Sequence, residues 1–238
     1  MDTAESTIKT LSAGRVLDVA TGNGQFINFL IESLKDYDEI IGIDTSEKAA
    51  VAFAEAFKDK PQVRFVRMDA VKMDFPDASF DTVCISNSLH HMPDLEPVLA
   101  EMRRVLRPGG HFIIAEMYRD NPTETQMTHV LMHHWLAAVD TAKGIVHNET
   151  YIRQRILDIL AKLEMTDMIF DDASDLNEDP KNPETVKSLI DTVDQYLKRI
   201  EGLPGEAALR ERGLDLRQRV EEIGFHSATS LRVIGKRL

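Results

Sequence analysis

The chemistry this chain suggests first lies in residues 16–24, Val-Leu-Asp-Val-Ala-Thr-Gly-Asn-Gly. Gly22 and Gly24, one residue apart, let the backbone turn sharply and approach a ligand closely. Asp44 follows Gly24 by twenty residues and ends an apolar run. An acid placed there can accept both hydroxyls of a ribose, so the pattern points to a nucleoside-containing ligand. A dinucleotide site would carry a third small residue for close helix packing under a pyrophosphate, and here that position is Ile27. Asp18, four residues before Gly22, suits a ligand with an ammonium group better than one with a phosphate.

Histidines form the second group. Of eight, six fall in two segments: His90 and His91, then His129, His133, His134 and His147. His129 and His133 are four apart on an expected helix, a spacing that metal ligands use. Asp140 stands two turns beyond His133, roughly 10 Å by helix rise. A third ligand would have to come from His90, His91 or His147. No metal ligand set is assigned on this basis, and His134 reads as a hydrogen-bonded histidine of a core or pocket wall. Cys84, inside an apolar run, reads as core rather than nucleophile.

These residues need elements to hold them. Short apolar runs alternate with amphipathic segments from about residue 14 to 118. Strands are expected at Arg15–Ala20, Glu39–Asp44, Val63–Asp69, Asp81–Ser86 and His111–Met117. Helices are expected at Gln25–Leu34, Glu47–Phe57 and Leu95–Leu106. Continuous apolar strands, each followed by a helix, indicate a parallel sheet covered on both faces. Asn121-Pro122-Thr123-Glu124 reads as a helix start with Asn121 as N-cap, the helix running to about Ala142. Asn148 would cap another helix reaching Leu163. Met165–Asp171 would be a sixth strand, two helices would follow from Pro183 and Glu206, and Ser230–Arg237 would close the sheet.

Composition narrows the partners. The 238 residues are 43% hydrophobic and 29% charged, as in soluble globular domains. A net charge of −12 repels phosphate backbones and argues against nucleic acid. No apolar run approaches the roughly 20 residues that cross a bilayer. The first fourteen residues lack a basic stretch followed by an apolar one, so no signal peptide is expected. A single cysteine fits a reducing, cytoplasmic setting.

Taken together, these motifs resemble those of class I S-adenosylmethionine-dependent methyltransferases. The similarity is greatest to the small-molecule group that includes ubiquinone and menaquinone C-methyltransferases. Asp18–Gly24 is similar to the family's D-x-G-x-G-x-G, with Ala20 replacing its first glycine. Asp44-Thr45, Met68-Asp69-Ala70, and Phe80-Asp81 followed by Ser86-Asn87-Ser88-Leu89-His90-His91 match in order and spacing, as does the turn Arg107-Pro108-Gly109-Gly110.

The resemblance implies a Rossmann-like, doubly wound α/β sheet of seven strands, the last antiparallel and inserted between the fifth and sixth. It implies a single methyltransferase domain. Its core would be about 14–118 plus the last two strands, with a helical lid at about 121–163 and a helical insertion at about 175–227. It implies S-adenosylmethionine as cofactor, held by Asp18, Ala20, Gly22, Gly24, Asp44, Thr45, Asp69, Ala70 and Ser86. Asp69 would take the adenine amino group.

The expected function is methyl transfer to a small-molecule acceptor by in-line displacement, with His91 and His134 as catalytic candidates. His91 would stand beside the transferable methyl, where a shape and hydrogen-bonding role competes with that of a base. Tyr118, Trp135 and the helix histidines are candidate acceptor contacts if the helix from 122 covers the pocket. The competing reading places that helix at an interface between two copies of the chain, giving a homodimer. Two alternative functions fit parts of the same pattern: a non-catalytic S-adenosylmethionine- or metal-binding regulator, and a nicotinamide-dependent oxidoreductase, which Ile27 disfavours.

Overall fold

Hydrophobic alternation fixes the architecture. In the computed structural model, which describes residues 3–238, seven strands form one sheet. They are β1 (Arg15–Val19), β2 (Glu39–Asp44), β3 (Val63–Arg67), β4 (Phe80–Ser86), β5 (Leu106–Met117), β6 (Met165–Ala173) and β7 (Ser230–Arg237). Their order is β3-β2-β1-β4-β5-β7-β6. The first five run parallel, and β7 pairs antiparallel with both β5 and β6. The expected seven-stranded sheet and the inserted last strand are therefore present.

The helices are α1 (Ala4–Ile8), α2 (Gln25–Ser33), α3 (Glu47–Ala56), α4 (Leu95–Val105), α5 (Glu124–Ala142), α6 (Arg153–Leu160), α7 (Pro183–Arg199) and α8 (Glu206–Glu222). Successive strand residues face opposite sides of the sheet. Leu17, Val19, Ile41, Val83 and Phe112 pack against Val98, Met102 and Ile156 of α4 and α6. Val16, Ile40, Cys84 and Ile113 pack against Ile27, Leu30 and Phe53 of α2 and α3. Cys84 is thus core, and burial pushes its thiol up.

A separate core joins α5, α7 and α8: Met132, Trp135 and Val139 meet Val193, Ile200, Leu209, Leu216 and Val220. Trp135 is buried there and its indole N–H donates to the Leu209 carbonyl at 2.8 Å. Its place is this helical core, although its edge also lines a cavity with Leu131 and Arg212 of α5 and α8.

Several boundaries differ from the sequence reading. The third strand ends at Arg67, leaving Asp69 in an exposed turn where its Oδ1 accepts from the Val71 N–H. Helix α5 is capped by Thr123, not Asn121: Thr123 and Gln126 form a reciprocal capping box, while Asn121 takes a positive φ of 48°. Asn148 caps no helix. Its backbone and side-chain N–H groups both donate to the His90 carbonyl, at 2.9 and 3.0 Å, and α6 starts at Arg153.

Candidate active site

The cleft opens at the carboxyl ends of β1 and β4, neighbours on either side of the point where strand order reverses. Both strands leave the sheet through a left-handed residue, Ala20 at φ 55° and Asn87 at φ 43°. Ala20 holds a conformation that costs a non-glycine residue about 1–2 kcal/mol. This is the position where a glycine was replaced in the motif. Gly22, at φ 54°, has open space where a Cβ would stand. Gly24 caps α2 at φ 84°, and a Cβ there would lie 2.2 Å from Phe57. The two glycines thus have different reasons: one leaves room for a ligand, the other lets α2 pack on α3.

Asp44 is fixed in place. Its Oδ2 accepts from the Gly22 N–H and its Oδ1 from the Ser46 N–H, each at 2.9 Å. Asp18 lies between Gly42 and Cys84 in the sheet and is 1% exposed. Neither of its oxygens makes a hydrogen bond of ordinary geometry, nor does the buried Thr21 hydroxyl beside it. Burial pushes the Asp18 carboxyl up to about 7; Thr21 opposes this and the Asp44 charge adds to it.

Asp18, Ala20, Gly22 and Ser86 line a cavity of about 360 Å³ together with Asn23, Gln25, Phe26, Phe29, Asn87 and Ser88. Ala20 also borders a smaller hollow lined by Asp44, Thr45, Asp69 and Ala70. Eight of the nine residues expected to hold a cofactor therefore border two adjoining hollows, and Gly24 shapes the turn beneath them. Asn87 also borders a third hollow, with Met117 and His129. Helix α5 thus supplies a wall residue on that side. Asp81 stays outside: it accepts from the Arg15 N–H and pairs with Arg107, which positions strands.

The histidines divide. His90 follows β4 in a short 3-10 turn, Leu89–His91, and is fully buried. Its Nδ1 is bonded to Glu116 Oε1 of β5, also fully buried. The other Glu116 oxygen accepts from the Ser88 and Leu89 N–H groups, both at 3.1 Å. His133 Nε2 lies 3.0 Å from His90 Nε2 and 3.2 Å from His147 Nε2. His147 returns over the end of α5, where its Nδ1 meets Asp140 Oδ2 at 2.8 Å. His91 stands at the exposed rim, its ring 4.3 Å from that of His90 and 4.2 Å from that of His147.

The expected i, i+4 partner, His129, takes another path: its Nδ1 accepts from the Ala228 N–H. His134 also lies apart, bonded to the Thr150 hydroxyl at 2.8 Å. Burial first, then neighbouring imidazoles, push His91 down to about 3 and His129 to about 4, with His133 lower still.

Sequence reasoning missed Glu116, Asn87 and Ser88. Glu116 had a signal, since a carboxylate inside the apolar strand His111–Met117 needs a buried partner. Asn87 and Ser88 stood in the matched stretch Ser86–His91, from which only Ser86 was assigned to the cofactor site.

The fold is the Rossmann-like, seven-stranded architecture found in solved methyltransferases. Residues 17–114 match the methyltransferase domain family. A 2-phytyl-1,4-naphthoquinone methyltransferase of Synechococcus elongatus is 29% identical over 142 residues, 58% of this chain and 61% of that protein. A demethylmenaquinone methyltransferase of Thermus thermophilus is 37% identical over 103 residues, 43% of this chain and 46% of that protein. The matched stretches thus span about half to three-fifths of these relatives. Among solved structures, a phosphoethanolamine N-methyltransferase 2 of Haemonchus contortus in complex with S-adenosyl-L-methionine aligns over 98% of this chain and 51% of its own. Its TM-score is 0.58 at 16% sequence identity. Among the described residues no helix is long and apolar enough to cross a membrane.

Proposed function

We propose that this chain binds S-adenosylmethionine and transfers its methyl group to a small-molecule acceptor by in-line displacement. The observation that carries this reading is Asp18. A buried carboxyl without a cationic partner among the described residues, bordering a cavity beside a glycine turn, fits a ligand that brings its own ammonium group. Asp44, already oriented by two backbone N–H groups, would take the ribose hydroxyls. Asp69 and Ala70 border the hollow suited to the adenine. Asp18, Ala20, Gly22, Gly24, Thr45 and Ser86 complete the proposed cofactor site.

The bound sulfonium supplies an already electrophilic methyl group. The protein's task is to align the acceptor and exclude water. Bound there, S-adenosylmethionine would supply the methyl carbon to an electron pair of the acceptor, a lone pair or the π pair of an electron-rich carbon, while the S–CH3 pair would stay on sulfur. A proton on the acceptor then leaves to solvent or a nearby base. The hollow bordered by Asn87, Met117 and His129 is the proposed acceptor side, with α5 as its wall or lid. His91 remains the proposed residue nearest the methyl; His134, tied to Thr150, is the weaker candidate for a catalytic role. The similarity to naphthoquinone and demethylmenaquinone methyltransferases makes such quinones, in the reduced form whose ring is electron-rich, the first acceptors to try.

Titration calorimetry with S-adenosylhomocysteine and with NAD tests the cofactor, and transfer of labelled methyl to a panel including demethylmenaquinol tests the reaction. Binding of S-adenosylhomocysteine with turnover of a panel member supports the reading. Binding of NAD alone overturns it, and cofactor binding with no turnover of any acceptor favours a regulator on this fold.

A further inference from the structure

The Nε2 atoms of three histidines, His90, His133 and His147, meet one another. His90 and His147 each direct Nδ1 at a carboxylate, Glu116 and Asp140. A neutral imidazole that donates through Nδ1 carries a lone pair on Nε2. Both Nε2 lone pairs then face His133 Nε2, at 3.0 and 3.2 Å. If His133 carries its proton on Nε2, that one proton serves two acceptors. If it carries the proton on Nδ1, three lone pairs face one another. His133 Nδ1 is itself buried without a protein partner. A cation resolves this arrangement by accepting all three pairs.

The dimensions fit. Tetrahedral Zn–N bonds of 2.0–2.1 Å set ligand nitrogens about 3.3 Å apart. Carboxylates on the outer nitrogens of His90 and His147 are the partners that orient metal-bound imidazoles and fix their tautomer. His91 brings a fourth ring within reach, all four ligand atoms lying within 4.8 Å of one another.

The chain builds this place from several directions. β5 supplies Glu116, the turn after β4 supplies His90 and His91, and α5 supplies His133 and Asp140. Gly144, at φ 78°, reverses the chain after α5 so that His147 returns over Asp140. Asn148 then holds the His90 carbonyl, tying the loop to the turn.

We propose that His90, His133 and His147 bind a divalent first-row transition metal, with His91 as the fourth ligand at the exposed rim and Glu116 and Asp140 as outer partners. Imidazole donors suit zinc, copper, iron and nickel, and the compact arrangement favours tetrahedral zinc. This site rests on the histidine geometry and not on the cofactor reading, with which it shares only His91, proposed above to stand nearest the methyl. It borders the cleft through Glu116, whose second oxygen holds the Ser88 N–H in the cavity wall.

The test uses the full chain, stripped with a chelator and titrated with Zn2+ by calorimetry and with Co2+ by visible absorption. One ion per chain is expected, with an intense Co2+ spectrum of tetrahedral type. His133→Ala and His147→Ala should each weaken Zn2+ binding by at least about 100-fold. Asp140→Asn and Glu116→Gln should weaken it about 10–100-fold. His129→Gln and His134→Gln should leave it unchanged. Circular dichroism checks each variant, and His147→Asn, in a loop, stands in should His133→Ala fail to fold. Equal affinity in wild type and the His147 variants, or no Co2+ spectrum, overturns the proposal. S-adenosylhomocysteine affinity of the same stripped samples reports separately on the cofactor reading.

Discussion

Two regions of the cleft solve opposite problems with the same means. At the ends of β1 and β2, burial holds an acid toward its neutral form: the Asp18 carboxyl is raised to about 7. Across the cleft, burial and then the neighbouring imidazoles hold a base toward its neutral form: His133 is pushed well below the ordinary imidazole range. Each region is short of positive charge, in one case for a carboxylate and in the other for imidazole lone pairs. The first is made by one turn and two strand ends. The second gathers two turns, a helix and a strand. Low polarity therefore prepares both regions for a cation, and the surrounding geometry selects which kind.

The largest effect expected of this contrast is in pH dependence. Asp18 has a folded pKa near 7 against an unfolded value near 3.9. Between those values the folded state holds the extra proton, so its stability falls as pH rises from about 4 to about 7, by up to about 1.4 kcal/mol per pH unit. Urea unfolding across that range should show this slope, and Asp18→Asn should remove it. The same carboxyl should lose its proton when a cationic cofactor binds. Calorimetry near pH 7 in buffers of different ionisation enthalpy should then show proton release that Asp18→Asn abolishes. A pH-independent stability would remove the first half of the comparison.

Next comes the turn itself. Gly24→Ala forces a Cβ against Phe57 at a positive φ and should destabilise the fold by about 2–4 kcal/mol in urea. Asp44→Ala should cost about 1–3 kcal/mol of S-adenosylhomocysteine binding through lost hydrogen bonds. His133→Ala should leave that affinity within about twofold if the two regions are energetically separate. A large loss in both would merge them into one site. The smallest effect concerns Ala20, which sits at φ 55°. Ala20→Gly should raise stability by up to about 1 kcal/mol, the relief of left-handed strain being offset by a freer unfolded chain.

The same contrast explains what the sequence disclosed. Asp18, Gly22, Gly24 and Asp44 follow from one strand–turn–helix–strand unit, so spacing along the chain translates directly into space. The strands were legible for the same reason: each is a short apolar run between turns. The histidine group was not. His129 and His133 share the spacing that suggests a pair, yet His129 bonds to Ala228 and His133 meets residues 43 and 14 positions away. Finding that required the direction of α5 over the sheet and the reversal at Gly144. The Thr123 cap escapes the sequence reading because Asn121-Pro122 imitates a helix start two residues early. Once Thr123 caps, Gln126 is placed to bind Ser227 and Thr229, which docks α5 beside β7.

The position of β7 has a consequence for the order in which this molecule can be completed. Among the described residues β6 has no sheet neighbour other than β7, and β7 follows it only after α7 and α8. During synthesis from the N-terminus, the first five strands can pair as they emerge, while β6 waits with both edges unpaired. Its exposed Met168 and Phe170 and its ladder groups stay open to other chains until Ser230–Arg237 arrives. Sheet closure is thus a late, long-range event, slow by its topology. The docking of Gln126 against Ser227 and Thr229 waits on the same event, so the wall of the cleft is finished only when the last strand slides into place.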